Sequence, residues 1–267
     1  MTEPVLLFGH QAGLTLLVMN RPAQGNALSD ELVRTLDRAI ESALADSATH
    51  TIALAARGRN FCTGFDLAQV ELCSDADLLA RFVAVEMLLD RIWRAPVRTV
   101  ALVHGRAWGA GADLLSICDR RVVAPDASFR FPGAGFGLVL GSRRLALRIG
   151  LDASRATIGE GLTLDAATAL KLGLATETME GPAVGEPERA LDEALQPIAE
   201  RFAPAPAIDR ETLRQIRAAT LRAHESDAQA ASDADLAHLV RSAARPGLRD
   251  RVIAYRDRVR GPRPTRD

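Results

Sequence analysis

His104-Gly105-Arg106-Ala107-Trp108-Gly109-Ala110-Gly111-Ala112-Asp113-Leu114 follows directly on the apolar, β-branched run Thr99 to Val103. It leads into an apolar helical stretch that ends at Cys118-Asp119. A buried strand that empties into glycine and then starts a helix lets main chain come close to a ligand and leaves the first helical N–H groups facing outward. A second loop has the same logic. Gly58-Arg59-Asn60-Phe61-Cys62-Thr63-Gly64-Phe65-Asp66-Leu67 comes after the apolar run Thr51 to Ala56. The spacing excludes common nucleotide sites: Gly105, Gly109 and Gly111 give GxxxGxG where a dinucleotide loop needs GxGxxG, and no GxxxxGK[ST] or GxSxG occurs. The five histidines show no pair at ligand spacing, so no metal site is expected.

Leu14 to Met19 reads as a strand that turns at Asn20-Arg21-Pro22. A helix follows, with Ser29 as N-cap, Asp30 and Glu31 in the first turn, and Leu32, Leu36, Ala39, Ile40 and Ala43 at helical spacing. The pattern predicts a long helix from Asp75 to Arg94, stopped by Pro96, short strands at Val122–Ala124 and Ser128–Phe131, and helices at Ser142–Ile149 and Leu164–Leu172. Alternation of this kind favours an α/β fold. Stretches rich in Gly, Pro and Ala at Gly181–Pro187 and Phe202–Pro206 bracket a helix near Glu188–Arg201. They divide a core over residues 1–200 from a C-terminal helical region over 201–267.

Composition narrows the class. The 267 residues are 48% hydrophobic and 25% charged, which is ordinary globular usage. A net charge of -1 makes nucleic acid an unexpected partner, and the nine arginines between residues 241 and 267 are interleaved with aspartates. Lys171 is the one lysine, and its amphipathic helical setting assigns it to the surface. Cys62, Cys73 and Cys118 form no CxxC pair and an odd set, which points to a reducing, cytoplasmic compartment. No apolar run reaches membrane-spanning length, and no basic segment precedes an apolar one at the start, so neither a membrane nor an export signal is expected.

Four segments in order give the chain a family likeness: Asn20-Arg21-Pro22 with Asn26-Ala27-Leu28-Ser29, Phe61 to Leu67, Gly105 to Asp119, and Gly159-Glu160 with Ala166-Ala167 and Gly173-Leu174. Together they resemble the crotonase (enoyl-CoA hydratase/isomerase) superfamily. The resemblance implies a crotonase-like spiral of ββα units with a C-terminal helical region that covers the ligand and makes subunit contacts, assembled as a homotrimer or dimer of trimers. It implies an acyl-CoA substrate, with coenzyme A as part of that substrate and no separate cofactor.

The common step in that family is stabilisation of a thioester enolate by two main-chain donors. Residue by residue, the donors implied here are the N–H groups of Phe65 and Ala110. Ala27, Leu28, Cys62, Gly64, Asp66, Leu67, Trp108, Gly109 and Phe136 are implied to contact substrate. The two hydratase glutamates fall at Asp113 and Gly133. An aspartate reaches about 1.5 Å less far than a glutamate, one C–C bond, and glycine carries no acid at all. Asp113 is expected to assist catalysis, with Glu86 and Asp90 as alternative acids on the helix before Pro96. The resemblance implies an enzyme of the enoyl-CoA hydratase/isomerase type, a lyase or isomerase, while this set counts against ordinary water addition. Decarboxylation or thioester hydrolysis remains open as the reaction, and so does a degenerate member that binds acyl-CoA or a partner without turnover.

Overall fold

The computed structural model describes residues 5–11, 13–179, 198, 200–202, 208–224 and 228–260. Most of the helix expected near Glu188–Arg201 lies outside them.

The backbone of the fold is a six-stranded sheet in the order β1 (Val5–Gln11), β2 (Leu14–Met19), β3 (Thr51–Ala56), β4 (Arg98–Val103), β6 (Arg120–Val123) and β9 (Glu177–Thr178). Only the β1–β2 pair is antiparallel. Strands β2 and β3 are buried at every position, as parallel strands covered on both faces must be. Alternation along them separates two cores. Leu17, Met19, Ile52, Leu54, Ala101 and Val103 face one cluster, whereas Leu16, Val18, Ala53, Ala55, Val100 and Leu102 face another, which Ile198 and Phe202 close.

Helices α1 (Asp30–Ala45) and α2 (Asp75–Trp93) cover the first face. Ser29 accepts from the Leu32 N–H, and Ser74 forms a capping box with Asp77, so both helices start where local sequence dictates. A smaller sheet, β5 (Arg106–Trp108), β7 (Ser128–Arg130) and β8 (Thr163–Asp165), stands beside α3 (Ala110–Ser116). Beyond it come α4 (Ser142–Ile149), α5 (Leu151–Gly159) and α6 (Ala166–Leu172). The C-terminal helices are α7 (Arg210–His224), α8 (Ala228–Ala243) and α9 (Leu248–Arg260). The last two join α2 through a third core containing Leu78, Phe82, Leu138, Leu239, Leu248 and Val252.

Two sequence expectations change. Arg106–Trp108, read as glycine-rich loop, is a strand because Ser128–Arg130 supplies a parallel ladder. The helix read over Leu164–Leu172 splits at Asp165: Thr163–Asp165 pairs with β7, and the Asp165 side chain then caps α6 by accepting from the Thr168 N–H at 2.8 Å.

Candidate active site

The loop after β3 lies along β5. Cys62 and Ala107 form a parallel bridge, with Cys62 N–H donating to Arg106 O at 3.1 Å and Trp108 N–H to Cys62 O at 3.0 Å. His104 adds a side-chain tie, its Nε2 lying 2.7 Å from Gly58 O. This clamp carries the two loops into contact two residues later, at Gly64 and Gly109. A Cβ built on Gly64 would lie 2.7 Å from Trp108 O and 3.5 Å from Gly109 Cα, and Gly64 has φ +95°. Only glycine meets both demands.

Immediately beyond the contact stand Phe65 and Ala110, both on the wall of one cavity of about 170 Å³. That volume is an order of magnitude above the ~10–15 Å³ that one water needs. Among the described residues, no acceptor takes the N–H of Phe65 or of Ala110. Ala110 opens α3, where orphan donors are expected.

Asp113, in the first turn of α3, is the one carboxyl on the described wall. It is 3% exposed, and its Oδ1 has no hydrogen-bond partner. Burial pushes its carboxyl well above the ordinary carboxylate range; the Arg144 guanidinium pulls it back, and the Glu86 charge adds to the rise. Gly141, the N-cap of α4, presses against this carboxyl so closely that a Cβ there would overlap it.

Of the residues singled out in sequence, Gly64, Phe65, Leu67, Trp108, Gly109, Ala110, Asp113 and Phe136 line the cavity. Ala27, Leu28, Cys62, Asp66, Glu86 and Asp90 do not. Leu28 is buried behind the wall and bridges Phe65, and Cys62 is fully buried. Asp66 pairs with Arg21 at 3.1 Å. Glu86 is ion-paired with Arg144, and Asp90 is held by Arg94 and Ser232. Gly133 does line the cavity and brings no side chain to it.

The sequence reading named Phe136 but missed Phe82 and Tyr255 on the aromatic side of the pocket. Phe82 of α2 stacks on Phe65 with centroids 4.1 Å apart, and Phe136 meets Tyr255 of α9 at 5.0 Å. Their spacing alone could not join helices so distant in the chain. Several arginines of the tail are spent inside the molecule: Arg251 donates to Phe136 O, and Arg256 bonds Glu71 and Asp257. Among the described residues no group of His, Cys, Asp and Glu is arranged to hold a metal ion, and no helix is long and apolar enough to cross a membrane.

The mixed α/β fold thus brings two free main-chain donors and one carboxyl to the wall of one apolar cavity, an arrangement that suits a polarised carbonyl oxygen. The family model for enoyl-CoA hydratase/isomerase matches residues 9–256, and the chain belongs to that family, within the crotonase superfamily. A crystal structure from Bordetella parapertussis, described as an enoyl-CoA hydratase/isomerase, is similar at 35% identity and a TM-score of 0.82, covering 98% of this chain and 100% of that one. A Mycobacterium leprae protein named a probable enoyl-CoA hydratase is 36% identical over 169 residues, 61% of this chain and 66% of that protein. A Pongo abelii protein named ethylmalonyl-CoA decarboxylase is 30% identical over 191 residues, 69% of this chain and 62% of its own length. The chain thus matches just under two thirds of each of these two relatives.

Proposed function

We propose that the chain acts on an acyl-CoA thioester, holding the thioester oxygen on the N–H groups of Phe65 and Ala110 and giving a proton to the enolate from Asp113. The observation that supports this reading is that Phe65 and Ala110, whose N–H groups have no acceptor among the described residues, line the same cavity as Asp113, the one carboxyl on its described wall. Main-chain donors suit the task because they do not titrate and cost no reorganisation.

Loss of carbon dioxide from a malonyl-type thioester fits this set best. The bond from the α-carbon to the carboxylate breaks and its electron pair becomes the enolate. Carbon dioxide leaves, the Asp113 proton goes to the α-carbon, and solvent restores that proton. A carboxyl held neutral by burial is a ready donor and a poor base. Phe82, Val85, Leu138 and Ile158 give the cavity an apolar lining, in which a carboxylate loses hydration that neutral carbon dioxide does not need. Water addition across a 2-enoyl bond draws on a second carboxyl, and Gly133 has none.

The test is a mass-spectrometric screen of CoA thioesters that scores loss of carbon dioxide, gain of water and release of free CoA together. Decarboxylation that disappears in Asp113→Asn supports the reading. Free CoA release would favour thioester hydrolysis, and tight thioester binding with no turnover would favour a binding protein. The family likeness further supports a homotrimer or dimer of trimers, checked by light scattering, and the cysteine pattern supports a cytoplasmic location.

A further inference from the structure

Arg81 of α2 is a half-buried cation that, among the described residues, has no carboxylate partner. Its Nε is shielded from solvent and donates to nothing, which costs stability. What it touches instead is the loop that carries Phe65, together with that loop's continuation. Nη2 donates to Asp66 O at 2.9 Å, the guanidinium carbon lies 4.4 Å from the centroid of the Phe65 ring, and Nη1 reaches Cys73 Sγ at 3.7 Å. A guanidinium placed for stability would be expected to find a carboxylate. This one is spent on a carbonyl, a ring and a sulfur.

Those contacts bear on one peptide group. The Phe65 N–H and the Gly64 carbonyl belong to the same planar unit and point in opposite directions across a trans bond. Leu28 N–H holds Gly64 O at 2.8 Å, so the Phe65 N–H is turned away from Leu28. Asp66 N–H in turn donates to Leu28 O at 3.2 Å. Both bonds run to one residue, and alone they make a hinge about which Phe65 can rock. Arg81 supplies a further point of attachment from a different element. Phe82 stacks on the Phe65 ring as well, but Arg81 holds both the ring and the carbonyl that follows it.

We infer that Arg81 is a positioning residue for the Phe65 N–H, fixing the direction in which that group meets the thioester oxygen. The inference rests on the reading of Phe65 as one of the two donors, and it can be measured without turnover.

The experiment uses butyryl-CoA isotope-labelled at its thioester carbonyl, a saturated ligand with no carboxylate to lose. Its carbonyl stretch falls in frequency as hydrogen bonds polarise the group, and infrared difference spectroscopy at saturating protein reads that shift. Arg81→Met and Arg81→Gln both place a good helix former at a half-buried position, so both are expected to fold, and either decides alone. Arg91→Gln is the control, since it breaks the ion pair with Asp37 on the same helix and touches nothing in the loop. The band is expected to return toward its free-ligand position in the Arg81 variants and to stay in place in Arg91→Gln. On the thioester found by the screen, kcat should fall about tenfold, short of the ~10²–10³ for a donor removed outright, with KM changed by less than about threefold. A role confined to stability would lower the melting temperature and leave the band of the folded protein unmoved, and that result in either Arg81 variant overturns the inference. No downshift in the unaltered chain is a separate failure: it removes the two-donor reading, and Arg81 then has no donor to position.

Discussion

Gly64 and Gly109 meet main chain to main chain, with room for no side chain between them: a Cβ on Gly64 would stand 2.7 Å from Trp108 O, and its φ of +95° already disfavours any other residue. The contact sets the separation of Phe65 and Ala110, the next residue in each loop. Gly64→Ala must therefore push the loops apart or break their ladder. It is expected to lower turnover at least a hundredfold, the usual loss for one misplaced oxyanion donor. Steady-state kinetics on the thioester identified by the screen, with circular dichroism to confirm folding, checks this. Unchanged kcat would remove the two-donor reading.

Asp113 makes a stability prediction with a definite sign. Burial raises its folded value above its unfolded one, so the favourable contribution is complete at low pH and is lost as pH rises from the ordinary carboxylate range toward the elevated folded value. Asp113→Asn carries no such loss. Its melting temperature relative to the unaltered chain should climb between pH 5 and pH 8, while its turnover falls about 10²–10⁴-fold, as for removal of a general acid. A Tm difference independent of pH would mean that the carboxyl ionises alike in both states.

Much of this arrangement was legible in sequence, for reasons visible at particular residues. Ser29 and Ser74 cap α1 and α2 through local hydrogen bonds, and the buried runs at Leu14 and Thr51 are too short and too β-branched to be helices. Phe65, Ala110 and Asp113, which the family resemblance picked out on two glycine-marked loops, line one cavity. The strand at Arg106–Trp108 was not legible, since its propensity is settled by a partner at Ser128–Arg130. Nor was Arg144: nothing in its neighbourhood distinguishes it from the chain's many surface arginines, and its burial depends on Glu86, 58 positions away.

Gly133 offers a gain-of-function test. It has no positive φ, and a Cβ there would meet only Leu138, at 3.3 Å from its carbonyl oxygen and 3.9 Å from its Cβ, a fit that needs a small local adjustment. Gly133→Glu puts a carboxyl at the family position this chain lacks. It is expected to raise hydration of a 2-enoyl-CoA at least tenfold, a fraction of the ~10²–10⁴ that a well-placed acid–base group supplies. Loss of the enoyl absorbance at fixed protein concentration measures it. No gain in a folded variant would show that the missing acid does not limit hydration.

The cysteines should differ sharply in reactivity. Burial above all pushes the thiols of Cys62 and Cys118 up to about 12, so thiolate is scarce at neutral pH. Cys73 is only partly buried. Iodoacetamide at pH 8 in native conditions is expected to label Cys73 first, with Cys62 and Cys118 labelled only after denaturation, as peptide mass spectrometry will register. Early labelling of Cys62 would mean that the clamp between the two loops opens in solution.

Phe82 joins stability to substrate choice. It is 2% exposed, stacks on Phe65 at 4.1 Å, belongs to the core shared with α8 and α9, and lines the cavity. Phe82→Ala should cost about 3–5 kcal/mol, as large-to-small changes at buried phenylalanines do, and should leave the Phe65 ring without its stacking neighbour. The space gained opens into the cavity, so the variant should shift preference toward longer or branched acyl groups, seen as a lower KM ratio for long over short thioesters. Urea unfolding reads the first effect and competition kinetics the second. If stability falls as expected and acyl preference does not move, the acyl group does not lie against Phe82, and the ligand must enter the cavity along its Ile158 and Tyr255 side instead.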